Sequence, residues 1–125
     1  MRTKKLLLAL AIFVSSSVWA EWVVHGAHDV ATFYFDPDTI RKDENIRRVW
    51  QLQDLKQRGR NGEMSRRHRV EYDCKNERSK NLQASIHSEP MAGGQIIFSF
   101  DADDIWKDIP PNTSSASMLR IVCSK

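Results

Sequence analysis

Cysteine, proline and glycine are all scarce in this chain, with two, four and five copies among 125 residues. The two cysteines, Cys74 and Cys123, lie far apart, so neither a Cys-x-x-Cys redox pair nor a cluster of thiolate metal ligands is available. No nucleophile elbow, zinc-protease helix, phosphate-binding loop or dinucleotide fingerprint is present, and a non-enzymatic role without a cofactor is expected. The longest apolar run, Leu6 to Val14, is well short of the roughly 20 residues that cross a bilayer. Repeats and low-complexity blocks are absent. Asp101, Asp103 and Asp104 cluster without the spacing of a known calcium loop, which leaves a solvated acidic loop as the simpler reading.

What is present begins with a leader. Arg2, Lys4 and Lys5 form a basic head, Leu6 to Val14 the apolar run, Ser15 to Ser17 a polar break, and Val18-Trp19-Ala20 a small-residue cleavage site. This predicts a signal peptide over 1–20 and a single mature domain over 21–125. No cysteine stands beside Ala20 to carry a lipid, so the expected product is exported, periplasmic or secreted, and not lipid-anchored. The leader holds three of the 19 basic residues and none of the 16 acidic ones, which leaves the mature chain formally neutral. Nothing in that balance points to nucleic acid or to a membrane surface. In an exported chain two cysteines most simply form one disulfide, Cys74–Cys123. Closing a loop of about 50 residues stabilises by about 4 kcal/mol in the chain-entropy picture. That is a large share of a domain's usual stability of roughly 5 to 15 kcal/mol.

The mature chain reads as strands. Met64 to Cys74 alternates at a two-residue period, with Val70, Tyr72 and Cys74 inward and Arg67, Arg69, Glu71 and Asp73 toward water. Trp22-Val23-Val24 and Val30 to Phe35 are predicted as earlier strands, the second stopped by Asp36-Pro37-Asp38. Ile46 to Leu55 follows, with Trp50 and Leu52 assigned to the core. Gly59 and Asn61-Gly62 mark the hairpin tip of Lys56 to Glu63. Leu82 to Ser88, with Leu82, Ala84 and Ile86 on one face, and Gln95 to Phe100 complete the strands. After Pro110-Pro111, the spacing of Met118, Leu119 and Val122 predicts one amphipathic helix from Ser114, packed on the sheet and held there by Cys123. The fold class is therefore α+β: an antiparallel meander of about six strands, a C-terminal helix and one disulfide.

The strongest charge feature is the basic hairpin. Lys56, Arg58 and Arg60 lie in the loop, and Arg67 and Arg69 share a face of the following strand, so these five are the candidate ligand-binding residues. They would meet acidic glycans, an acidic protein surface or lipid headgroups; as a structural feature they more simply solvate a strand and discourage edge-to-edge pairing. His25 and His28, three apart beside Asp29, are the candidate metal or haem ligands, although a third ligand is not evident.

Several landmarks together resemble the surface-adhesin protein E family of small exported bacterial proteins. They are Trp22, Phe33-Tyr34-Phe35-Asp36, Val49-Trp50-Gln51-Leu52-Gln53-Asp54, Glu71-Tyr72-Asp73-Cys74, the Trp106 to Pro110 segment, and Ile121-Val122-Cys123. The resemblance implies an antiparallel sheet with a C-terminal helix, and an adhesion function toward extracellular-matrix or serum proteins such as laminin, vitronectin and plasminogen. It also makes a homodimer possible, which an exposed sheet edge would allow. The alternative role is a periplasmic structural protein that works through envelope partners.

Overall fold

The computed structural model describes residues 21–101 and 103–124; the leader expected over 1–20 lies outside them. Strands β1 (Val23–Ala27), β2 (Ala31–Phe35), β3 (Arg41–Asp43), β4 (Ile46–Leu55), β5 (Ser65–Asp73), β6 (Arg78–Glu89), β7 (Gly93–Asp101) and β8 (Lys107–Asp108) precede one helix, α1 (Ser114–Cys123). All pairings are antiparallel, in the order β1-β2-β4-β5-β6-β7. β3 pairs with the start of β4, and β8 with the start of β6. The expected meander of about six strands is thus present, with two short strands filling its lower corners.

Local chemistry explains the punctuation. Asp36 Oδ1 accepts from the Asp38 N–H at 3.1 Å, and Pro37 starts a single 3-10 turn there, which ends β2. Thr113 caps α1 by accepting from the Ala116 N–H at 3.1 Å, supplying a partner to one of the donors that a helix start leaves free. The helix lays Met118 and Val122, both fully buried, on Phe35, Val49, Val70 and Tyr72. Cys74, just past β5, joins Cys123 at the last helical residue, with a Cα–Cα distance of 5.8 Å.

The faces of two strands differ from expectation. Val49, not Trp50, lies beneath the helix; Leu52 is buried on the opposite face, and Trp50 is only half-buried. In β6 the buried side chains are Ser85 and His87, on the helix-free face. A register irregularity opposite Arg69 and Val70 changes which β6 positions share a face, so one alternation cannot run the length of that strand. Glu71 and Asp73, expected in water, are buried as well. Each is compensated: Glu71 by Arg48 at 3.3 Å and Lys80 at 3.7 Å, Asp73 by Arg78 at 2.9 Å.

Asp73 also closes the turn after β5, accepting from the Asn76 side chain at 2.9 Å and from the Lys75 and Asn76 N–H groups. These bonds, the Asn76 side chain foremost, hold its carboxyl at about 2, below the usual 3.8. Because the folded value is depressed, this stabilisation is fully present above about pH 4 and is lost as pH falls toward 2. Asp73→Asn is therefore expected to lower stability at neutral pH and to flatten the acid limb of unfolding. Chemical denaturation across pH 2 to 7 reads both.

Candidate functional site

The helix covers part of one face of the sheet, and the other face is free of it. Register builds that face in rows. Trp50 stands opposite Arg69, Gln83 follows Arg69, and Asp101 follows Gln83. The next row runs Tyr34, Leu52, Arg67, Ser85 and Ser99. On the far side, Arg41 and Arg48 lead to Glu71 and Lys80. Arg67 places its guanidinium carbon 5.0 Å from the Trp50 ring centroid, a cation–π contact that holds both side chains on this face. Arg48 and Lys80 share Glu71, and Lys80 also reaches Asp104 at 3.1 Å, whereas Arg67 and Arg69 have no acidic partner among the described residues. The face thus presents an indole flanked by two uncompensated guanidinium groups.

The hairpin tip is built differently. Arg58 donates to the carbonyls of Gly62 at 2.8 Å and Ser88 at 2.6 Å, and pairs with Glu89 at 3.6 Å, strapping the tip to the end of β6. Glu63 is buried and accepts from the Asn61 N–H at 2.9 Å. Lys56 and Arg60 remain exposed. The five candidate cations therefore fall into two groups, Arg67 and Arg69 beside Trp50, and Lys56 and Arg60 at the tip, with Arg58 spent on holding the loop. Arg66 and His68 sit on the helix-bearing face. The sequence reading missed Trp50 as a surface residue because an aromatic in a long strand scores as core. The signal lay in Arg48, two residues away on the same strand face.

His25 and His28 both lie against Phe33, with ring centroids 6.0 and 4.9 Å away. His28 Nδ1 accepts from the Val30 N–H at 3.2 Å, and His25 Nδ1 is 3.4 Å from Ser117 Oγ. Burial holds the His25 ring below its usual pKa, so it packs as a neutral imidazole between Phe33 and Phe35. No group of three or more potential metal ligands occurs among the described residues. Ser85 and His87 form a 2.8 Å hydrogen bond, but both are buried and His87 Nδ1 has no partner, so the pair lacks the orienting acid of a nucleophile–base arrangement.

The sequence profile described as Surface-adhesin protein E matches residues 22–124. The chain belongs to the surface-adhesin protein E family. Solved structures agree on the fold. Crystal form II of Haemophilus influenzae protein E superposes with a TM-score of 0.59 at 13% identity, covering 80% of this chain and 91% of that one. Protein E from non-typeable Haemophilus influenzae gives 0.60 at 16% identity, covering 87% and 79%. No curated protein matches the sequence. As a member of the surface-adhesin protein E family the chain is an exported protein of adhesion type, and no helix among its described residues is long and apolar enough to cross a membrane.

The strapped tip makes one substitution informative. A Cβ at Gly59 would stand 2.1 Å from Glu63 Oε1, so Gly59→Ala must displace the buried carboxylate from the Asn61 N–H. The expected cost is about 1 to 2 kcal/mol, measured by denaturant unfolding, with amide exchange accelerated at Asn61.

Proposed function

We propose that this member of the surface-adhesin protein E family is a non-enzymatic binding module, cut after Ala20 on export, that contacts acidic surfaces of extracellular-matrix, serum or envelope proteins. The observation that carries the reading is the contact of Arg67 with Trp50, beside Arg69, on the face that the helix leaves open. An indole and a guanidinium already held in a cation–π contact lose little side-chain freedom on binding, and residues of this kind anchor interfaces more often than lysine does. Lys56 and Arg60 at the tip extend the same charge toward the β4–β5 end. Exposed cations of this sort act chiefly on encounter rate and salt dependence.

Replacing Lys56, Arg60, Arg67 and Arg69 together by Ser, with Arg58 kept to hold the loop, is expected to weaken binding to laminin, vitronectin, plasminogen or heparin by roughly tenfold or more and to flatten its salt dependence. Surface plasmon resonance at several ionic strengths measures both. Unchanged binding by the substituted protein, or no binding by the parent, ends the proposal.

A second copy of the chain is the partner proposed for β7. This strand is the sheet edge, and Ile96, Phe98 and Phe100 are 58%, 58% and 47% exposed. Long apolar edges invite strand pairing, and β7 lacks the lysine or proline that usually blunts one. An antiparallel pairing centred on Ser99 would set Phe98 of each copy against Phe100 of the other and place no like charges opposite each other. Phe98→Lys is expected to convert a dimer into a monomer in sedimentation velocity. A parent protein that is monomeric throughout the concentration series rejects this pairing.

A further inference from the structure

The helix-bearing face is only partly covered. Beyond the start of α1 it opens as a cleft of about 440 Å³ between the sheet and the Lys107–Pro110 segment, within the range of small-ligand sites. Its polar lining is largely unspent. Gln51 Oε1 accepts from the Tyr72 hydroxyl, but the Gln51 amide nitrogen has no protein partner among the described residues. Gln53 and Asn81 line the same space, as do Ser79, Ser114 and Ser115, and none of these five side chains has a hydrogen-bond partner among the described residues. Arg66 brings a guanidinium with no acidic partner among the described residues, from the strand position opposite Gln53. Lys107 is tied to Asp103 at 3.2 Å, and Asp108 is the one carboxylate in the lining. Around these groups stand the apolar surfaces of Phe33, Ile86, Phe100 and Pro110.

We propose that this cleft binds a sugar unit bearing one carboxylate, with Arg66 on the carboxylate, the amides of Gln51, Gln53 and Asn81 on the hydroxyls, and the Phe33 side chain, in the same row as Gln53 and Arg66, against the C–H face of the ring. Three features select that class. A single uncompensated guanidinium matches a single carboxylate in a paired hydrogen bond. Planar amides and serine hydroxyls both donate and accept, as adjacent sugar hydroxyls do, whereas a purely apolar chain would strip water from them and leave them unpaired. A phosphate would bring about two negative charges to one cation. The site lies on the opposite side of the sheet from Arg67 and Arg69 and does not rest on the function proposed above.

The cleft contains its own reporter. Burial, and after it the neighbouring charge of Arg66, lowers the His68 pKa to about 4. A carboxylate seated on Arg66 offsets that positive charge, so His68 titrates at higher pH in the complex.

The experiment is a titration of the mature protein with D-glucuronate, followed by NMR of side-chain amides and of the His68 ring. Glucose and acetate serve as separate arms that carry the ring or the carboxylate alone. The expected result is saturable shifts at Gln51, Gln53 and Asn81, an upward shift of the His68 titration, and much weaker binding of glucose and acetate. Arg66 is exposed, so Arg66→Ser keeps the fold and is expected to weaken glucuronate binding by roughly tenfold or more. Lys42→Ser, on exposed β3, leaves it unchanged. The proposal is overturned if the cleft amides show no saturable shift, if acetate or glucose binds as well as glucuronate, if Arg66→Ser binds like the parent, or if Lys42→Ser weakens binding equally.

Discussion

The tie between Cys74 and Cys123 is the constraint on which the arrangement depends. A ten-residue helix is too short to persist alone in water, and α1 lies at the far end of the chain from the strands it covers. The crosslink sets its last residue at the foot of β5, where Met118 and Val122 drop onto Val49, Val70 and Tyr72. Covalent closure and apolar burial act on the same few residues, so the helix has one seat and one direction. The direction matters, because it points the start of α1 across the sheet and leaves open the cleft that Ser114 and Ser115 line.

Once one face is occupied, the other is free for contacts, and its composition follows from alternation. Every core residue of β4 and β5 on the helix side has a neighbour that must face away. On β4 those neighbours include Arg48 and Trp50, and on β5 Arg67, Arg69 and Glu71. The open face cannot be apolar without inviting aggregation. It is instead a field of guanidinium groups that Glu71 partly neutralises and Trp50 interrupts. The solved structures of Haemophilus influenzae protein E share this fold at 13% and 16% identity.

Much of the scaffold is legible in the sequence. The bounds of β4 are those of its apolar–polar alternation, and the helix begins at Ser114, where a capping hydroxyl follows two prolines. Val70 and Tyr72 proved to be core for the reason that alternation supplies: their neighbours are charged. The misses have a common cause. Trp50 was placed inside because a large apolar ring is costly to expose, yet a guanidinium over its face supplies cover that no local pattern reveals. Glu71 and Asp73 were placed in water because buried carboxylates are rare, yet partners from β4 and β6 compensate them. Of the five candidate cations, Arg58 carries a structural duty, since the two carbonyls it holds lie at Gly62 and, far along the chain, Ser88.

The amino-acid sequence alone determined the class of object: a single β-rich domain with one helix and one disulfide. Those properties follow from composition and short-range periodicity, which act within a few residues of each position. The tertiary structure decided which face each strand shows to the helix, which cations stand free, and which unspent amides share a cleft. These outcomes depend on register and on pairings between distant strands, and a displacement of one residue exchanges the two faces of a strand without altering its local pattern.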